Sequence, residues 1–304
     1  GVHAHRPELE ADWPAIKAFK IIGRSAASQV LDNWISLSQS DDSEVPHQLR
    51  IGLRRLRVCL RIFQSHLTSE DLKRLSEEAR DMGRLVGDLR NADVLLEDIA
   101  HPAIDALGSN KQHRAMIKHL EESRQDLRKH VREAMDSERW THFKLNCMLF
   151  EQAVDRAFLS AATPSPDETV EAVAERELER TWQRVLKKGR NFSQHTIEQR
   201  HDLRKTLKSM RYASEHFLQL HSGDEPDLFF SKLRQLQNVF GYLNDVAMAE
   251  ELDASIAADM HDRKDLQRSM AAIVAWHRER SDRAMQKADQ RWQKLLQTRL
   301  FWRS

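Results

Sequence analysis

Apolar residues recur along this chain at helical spacing, three and four positions apart, with charged residues between them. This period places apolar side chains on one face of an α-helix and leaves the other face polar. Breaks are predicted near Pro46, at His101 and Pro102, at Gly108, and at 163–167, where a Pro-x-Pro disfavours helix. The pattern predicts nine helices, at 14–39, 45–67, 69–99, 111–137, 139–162, 168–190, 195–221, 227–254 and 260–300.

Composition favours the same all-α class. The 304 residues include only 9 Gly and 7 Pro, and residues with high helix propensity dominate. Charged residues, 31% of the chain, interrupt every apolar run, so no membrane-spanning segment is predicted. Cys59 and Cys147 fall among helical apolar residues and are predicted to be buried, reduced thiols. That use of cysteine is typical of a cytoplasmic protein.

One cationic string occurs twice. His47 is followed by arginine at three, seven and ten positions, and His201 is followed by Arg, Lys and Arg at the same offsets, 154 residues later. A second shared string lies 40 residues after each histidine, at Gly87 and Gly241. Because both strings keep the same separation, the sequence predicts an internal duplication.

The duplication and the short loops predict two tandem four-helix bundles related by pseudo-two-fold symmetry. The first repeat, with an N-terminal tail, would span 1–163. The second would span 168–304, and the two would form one domain. We refer to these ranges as the first and second halves.

Each repeated helix has a cationic edge beside an apolar edge. At about 100° per residue, the cationic positions of the first copy fall within roughly 80° of arc. They are His47, Arg50, Arg54, Arg57 and Arg61 in the first copy, and His201, Arg204, Lys208 and Arg211 in the second. Like charges one turn apart repel, so such an edge destabilises the helix unless an anion or a facing acid offsets it. Guanidinium groups bind phosphate bidentately, which indicates a phosphate-bearing ligand.

The helix after each cationic helix adds further candidates. Arg80 and Arg84 lie on one face leading to Gly87, and Arg234 matches Arg80 at the 154-residue offset. Asn91 and Asp245 would either orient the arginines of the neighbouring helix or form an ordinary polar contact between helices.

These strings resemble the CHAD family, the histidine-containing α-helical domain. The resemblance covers about 14–300 and rests on His47-x-x-Arg50-x-x-x-Arg54-Arg55-x-Arg57, His201-x-x-Arg204-Lys205-x-x-Lys208-x-x-Arg211-Tyr212, Leu89-Arg90-Asn91-x-Asp93 and Leu243-Asn244-Asp245. It implies two four-helix bundles around a basic central channel that binds inorganic polyphosphate. It adds Arg55 and Lys205 as ligands, and Asn91, Asp93, Tyr212, Asn244 and Asp245 as residues that orient them. Asn91 stands where the family usually has Asp, so a carboxylate brace is in doubt there.

The sequence thus predicts non-enzymatic binding of polyphosphate, with no metal and no cofactor. The resemblance also implies association with polyphosphate or storage granules and their proteins. A phosphohydrolase or polyphosphate kinase would need a nucleotide loop or a carboxylate cluster, and neither motif is found. The alternatives are a helical protein that binds nucleic acid and a scaffold that docks an acidic protein. The 48 Lys and Arg against 47 acidic residues, and the lack of a base-reading module, argue against nucleic acid.

Overall fold

The computed structural model describes residues 1–64, 69–160, 168–259 and 262–303. Within these ranges the fold is all-α, as predicted, with 84% of residues helical and no strand. The α-helices are α1 (Ala15–Gln39), α2 (Glu44–Phe63), α3 (Glu70–Val94), α4 (His101–Leu107), α5 (Lys111–Met135), α6 (Glu138–Met148), α7 (Phe150–Ser160), α8 (Val170–Gly189), α9 (Ile197–Phe217), α10 (Glu225–Asp259) and α11 (Lys264–Leu296). The predicted 163–167 linker lies outside the described residues.

The break predicted at His101 and Pro102 is wrong. A π-helix over Leu95–Ala100 joins α3 to α4, and Pro102 occupies the first turn of α4. Proline is tolerated there because the first helical N–H groups have no partner within the helix. The buried His277 of α11 donates from Nε2 to the Ile99 carbonyl of the π-helix at 2.9 Å. This bond holds α11 against the far end of α3.

The helix predicted at 139–162 is interrupted. It divides at Leu149 into α6 and α7, and the break directs Phe150 into the core, where it is 1% exposed. The Phe150 ring occupies the place of a side chain on Gly23, since a Cβ there would lie 2.1 Å from it. The ring also packs edge-on against Phe19, with centroids 5.4 Å apart. Aromatic packing therefore overrides the helical period at this point.

The core does not divide at the predicted boundary between the halves. One cluster of buried apolar residues runs from Leu9 to Trp302 and includes side chains from α1, α2 and α3 as well as α8, α9 and α10. A second cluster joins the π-helix, α4 and α5 of the first half to α10 and α11 of the second. The domain ranges 1–163 and 168–304 therefore remain a prediction from the repeat.

Three pairs of helices follow the repeat. Helices α8, α9 and α10 each begin within one residue of the positions that lie 154 residues after the starts of α1, α2 and α3. The starts of α1 and α8 are also tied together, because Ala15 N–H donates to Glu168 and Val170 N–H donates to Trp13, both at 2.9 Å. α2 packs against α1 and α3, α9 packs against α8 and α10, and α2 and α9 contact each other. This arrangement brings the two cationic helices together.

Candidate functional site

Helices α2, α3 and α9 line a cavity of about 1080 Å³, which we call the cationic cavity. Ten of the fourteen predicted ligand residues line it: Arg50, Arg54, Arg57 and Arg61 from α2, Arg80 and Arg84 from α3, and His201, Arg204, Lys205 and Lys208 from α9. The apolar edge of α2 is buried, as the helical projection predicts, with Leu49, Leu53 and Leu56 at most 1% exposed. Burial of that edge fixes the rotation of α2 and turns its arginines toward α3 and α9.

Four cations crowd the inner part of the cavity. This inner cluster comprises Arg50, Arg54, Arg204 and Lys208. Burial, followed by repulsion from Arg204, Arg54 and Arg50, lowers the pKa of Lys208 to about 6. Burial, followed by Arg54 and Arg204, lowers the pKa of Arg50 to about 10. Across the described residues, none of the four has a carboxylate at ion-pair distance, although Asp245 attracts Arg204 and Lys208 from further away.

The repulsions within the inner cluster agree with the repeat, and the pseudo-two-fold symmetry of two bundles remains a prediction. Arg54 repels Arg204, and Arg50 repels Lys208. At the 154-residue offset Arg50 corresponds to Arg204, and Arg54 corresponds to Lys208. The pair Arg54 and Arg204 therefore corresponds to the pair Lys208 and Arg50, so the offset exchanges the two repulsions. Such an exchange is expected for two copies of one helix that cross at a pseudo-two-fold axis.

An outer cluster of Arg57, Arg80 and Arg84 continues the cavity between α2 and α3. Burial lowers the pKa of Arg57, and Arg54, Arg80 and Arg84 add to the effect. Arg80 and Arg84 lie 3.7 and 3.8 Å from Asp81, but that carboxylate is held more closely by Arg139, at 2.6 Å. The outer cluster thus shares one acid that is already paired outside the cavity.

Several donors of the cavity cations have no protein partner. Arg57 Nε, Arg204 Nε and one terminal nitrogen of Arg61 are buried without a hydrogen bond in the described part of the chain. Arg61 does lie 3.7 Å from Glu177 of α8. Because buried polar groups in proteins are nearly always hydrogen-bonded, these donors indicate a site for an external acceptor. Guanidinium donors and the local positive charge together select an anion.

The model of the CHAD domain family matches residues 22–254, which is more than half of the chain. This chain belongs to the CHAD domain family. CHAD domains are generally binding domains, and the family is linked to polyphosphate binding.

Two solved structures resemble this CHAD domain in fold. The crystal structure of the CHAD domain from the plant Ricinus communis shares 22% identity, with a TM-score of 0.83, and the match covers 98% of this chain and 97% of that one. PptA from Streptomyces chartreusis shares 16% identity, with a TM-score of 0.70, and the match covers 92% of this chain and 100% of that one. No curated protein matches the sequence.

Arg55 does not line the cavity of this CHAD domain, although the resemblance implied that it binds the ligand. It is 1% exposed and points to the opposite side of α2. Its guanidinium donates to Gln29 Oε1 at 2.9 Å and to the His5 carbonyl at 3.3 Å. Consecutive residues on a helix differ by about 100° in direction, and this turn carries the Arg55 side chain away from the cavity that Arg54 lines. We therefore correct the role of Arg55 to a structural one.

The other three predicted ligands also lie outside the cavity lining. Burial lowers the pKa of His47 to about 4, and Arg90 adds to the effect, so His47 carries no charge at neutral pH. Arg211 donates to Gln237 Oε1 at 3.4 Å and stacks at 4.9 Å on Tyr212, whose ring centroid lies 5.9 Å from the Arg54 guanidinium. Arg234 lies on the exposed surface of α10.

The residues predicted to orient the cations lie in different places relative to the cationic cavity. Asn91 lines the cavity, while Asp245 is near Arg204 and accepts from the Asn244 amide at 3.5 Å. Asp93 instead lies 3.7 Å from Arg128 of α5 and is fully buried. Burial raises the pKa of Asp93 to about 6. Its position therefore serves the contact between α3 and α5 rather than the cavity arginines.

Sequence reasoning missed Lys73, Gly83 and Gly87, which also line the cavity. Arg50 donates to the Gly87 carbonyl at 3.3 Å, and a Cβ at Gly83 would meet no atom within 4 Å. A Cβ at Gly87 would lie 3.8 Å from the guanidinium carbon of Arg50, so this glycine faces that side chain. Two glycines four residues apart inside a helix, in a chain with only 9, are the signal that could have located this wall.

Neither a membrane-spanning helix nor a metal cluster is found in the part of the chain that the structure describes. None of these helices is long and apolar enough to cross a membrane. No group of three or more His, Cys, Asp or Glu side chains in the described ranges is arranged to hold a metal ion. Both cysteines are free and buried, and burial raises the pKa of each thiol.

Proposed function

We propose that this CHAD domain binds linear inorganic polyphosphate in the cationic cavity and does not catalyse a reaction. The observation that carries the proposal is the inner cluster. Four basic side chains converge there without an ion-pair partner in the described residues, and burial, followed by repulsion from the three arginines, lowers the pKa of Lys208. Such crowding destabilises the free protein and is relieved when a polyanion enters.

The length of the cationic edge supports a chain rather than a single phosphate. Arg50 and Arg61 both line the cavity and are separated by 11 residues, or about 16 Å along α2 at the ~1.5 Å rise of an α-helix. A chain with one charge on each internal unit can contact the inner and outer clusters at once. Each added contact releases a counterion, so affinity should rise with chain length and fall steeply with salt.

The lining also argues against nucleic acid. Single-stranded nucleic acid is bound through aromatic side chains that stack on bases. Among the described lining residues Phe19 is the one Phe, Tyr or Trp, and it is 1% exposed and offers no stacking surface, which leaves the His201 imidazole as the single exposed ring. Polyphosphate has no bases and needs only the cations that the cavity supplies.

Charge reversal in the cavity tests the proposal. In Arg54→Glu/Arg57→Glu/Lys208→Glu, the affinity for fluorescently labelled polyphosphate should fall at least about a hundredfold at ~0.15 M salt, because charge-assisted bonds are lost in the cavity. A matched variant, Arg114→Glu/Lys118→Glu/Lys129→Glu, makes the same change in net charge on the exposed face of α5. Its affinity should stay within about threefold of wild type.

Comparing the cavity variant with the α5 variant separates binding in the cavity from an effect of net charge. Fluorescence anisotropy gives Kd, and circular dichroism checks that both variants keep their helicity. Equal loss in the two variants would mean that binding depends on net charge alone. Competition with unlabelled DNA tests the alternative that the protein binds nucleic acid. Displacement of polyphosphate by DNA at equal charge concentration would favour that alternative.

The cellular role is proposed on the same basis. A domain that holds long polyphosphate would accompany it, so we propose a cytoplasmic protein that associates with polyphosphate or storage granules. A fluorescent fusion should concentrate on such granules, and the triple cavity variant should be diffuse. Equal granule association of wild type and the cavity variant would show that other contacts recruit the protein.

A further inference from the structure

The two halves differ at α3 and α10, the helices that follow the cationic helices α2 and α9. α2, α3 and α9 line the cationic cavity, whereas no residue of α10 does within the described ranges, although α10 is the repeat partner of α3. The inferred ligand path therefore runs along α3 alone.

One pair of residues related by the 154-residue offset accounts for this difference between α3 and α10. Gly83 on α3 corresponds to Gln237 on α10. At Gly83 a Cβ would meet no atom within 4 Å, and the cavity occupies that space. Gln237 is 7% exposed, and its amide donates to the Leu207 carbonyl of α9. The side chain that is missing on α3 thus spans from α10 to α9 in the second half.

Gln237 also restrains a cation. Its Oε1 accepts from Arg211 at 3.4 Å. The residues that match Leu207 and Arg211 in the first half are Leu53 and Arg57, and both of these line the cationic cavity. The Nε atoms of Arg57 and Arg211 are both buried without a hydrogen bond in the described residues, and the two arginines differ in that a terminal nitrogen of Arg211 has Gln237 as its partner. One residue difference therefore leaves Arg57 facing open space and ties Arg211 to a neighbouring amide.

The charges at corresponding positions of the two halves also differ. Arg61 and Lys73, which line the cavity, correspond to Glu215 and Asp227 in the second half. An anion along α10 would meet two acids at positions where an anion along α3 meets two cations. Two acids, Glu77 and Asp88, also line the cavity, and their counterparts Ser231 and Tyr242 carry no charge at neutral pH, so they reduce this difference without reversing it. Glycine inside a helix also destabilises that helix relative to alanine, so Gly83 carries a cost that an open path explains.

We propose that polyphosphate runs along the α3 side only, that Gly83 keeps this path open, and that Gln237 closes the equivalent path along α10. This inference rests on the proposed polyphosphate binding. It assigns one polyphosphate path to each chain, despite the duplicated cationic helices.

Gly83→Gln tests the inference because it copies the second half into the first. The new side chain can reach the Leu53 carbonyl and Arg57, as Gln237 reaches Leu207 and Arg211. Affinity for labelled polyphosphate should fall about tenfold or more, since Arg57 is withdrawn and the path is obstructed. The matched control is Gly241→Gln on α10, where a Cβ also meets no atom within 4 Å and which does not line the cavity. Its affinity should stay within about twofold.

A second measurement does not require a bulky residue at the site. Cys59 and Cys147 are at most 2% exposed, so a cysteine introduced by Gly83→Cys or Gly241→Cys should be the thiol that reacts with an alkylating reagent. Polyphosphate should slow labelling at position 83 about tenfold and leave labelling at position 241 unchanged.

The outcomes separate the two proposals. If wild type fails to bind polyphosphate, the proposed function is wrong. If wild type binds and Gly83→Gln binds equally well, the function stands and the one-sided path is wrong. Should Gly83→Gln fail to fold, the cysteine pair decides, and equal protection at positions 83 and 241 would overturn the inference.

Discussion

Replacing Lys208 with methionine should stabilise the free protein while weakening its binding of polyphosphate. Lys208 is largely buried among Arg204, Arg54 and Arg50, and burial is the main reason that its pKa falls from 10.5 to about 6. Methionine keeps much of the length of the side chain and its apolar contacts but carries no charge. The substitution therefore removes the cost of placing an amine in the inner cluster.

The sign and size of the effect follow from proton linkage. Between pH 6 and 10.5 an unfolded lysine is charged, whereas Lys208 in the folded protein is mostly neutral. The unfolded state binds more protons in this window, so the stability of wild type rises with pH. The cost at pH 7 is on the order of 5 kcal/mol, and it shrinks by about 1.4 kcal/mol for each unit toward pH 10.5. Lys208→Met has no such cost in its free energy of unfolding at any pH.

Urea unfolding of both proteins at pH 7 and pH 9 measures the difference. Lys208→Met should have the higher free energy of unfolding at pH 7, and its advantage should fall by about 3 kcal/mol at pH 9. Lys205→Met, on an exposed position of the same helix, is the control and should change stability by less than about 0.5 kcal/mol. An advantage that is absent at pH 7, or that is the same at both pH values, would refute this reading of the inner cluster.

Three further predictions concern the cavity and its surroundings. Gly83→Ala should raise the free energy of unfolding by up to about 1 kcal/mol, as should Gly241→Ala, because neither new methyl group meets an atom within 4 Å; urea titration of each checks this. Arg55→Ala should lower it by about 2 kcal/mol, since Gln29 Oε1 and the His5 carbonyl lose their donor, yet it should leave polyphosphate affinity unchanged by anisotropy. Titrations from 50 to 200 mM salt should show log Kd rising linearly with log salt, with a slope of about 0.7 per phosphate contacted; a flat line would exclude an electrostatic site.

Helical period and repeat were sufficient to predict the two cationic helices, whereas the basic channel between them was implied by the family resemblance. The period along α2 separates the buried Leu49 and Leu53 from Arg50 and Arg54, and the structure has this separation. The constant offset predicts two cationic helices 154 residues apart, and the structure has them as α2 and α9, which contact each other. These features depend on regular geometry, which a sequence encodes directly.

Features that depend on tertiary contacts were not predictable in the same way. Leu149 continues a helical pattern, and the break there is set by Phe150 filling the space above Gly23. Arg55 belongs to the motif of the family, but its direction on α2 places it beside Gln29. A motif string does not report which side of the helix a residue faces unless its angle is considered. The signal at Gly83 was only its spacing from Gly87 inside a helix, because its contribution is the absence of a side chain.

Arginine footprinting tests the central claim most directly. Labelling with an arginine-selective reagent, with and without polyphosphate, followed by mass spectrometry, shows which guanidinium groups the ligand covers. We expect polyphosphate to protect Arg54, Arg57, Arg80 and Arg84, while Arg234 and Arg278 on the exposed surface keep their reactivity. Protection of Arg234 or Arg278 without protection of Arg54 and Arg57 would contradict binding in the cationic cavity.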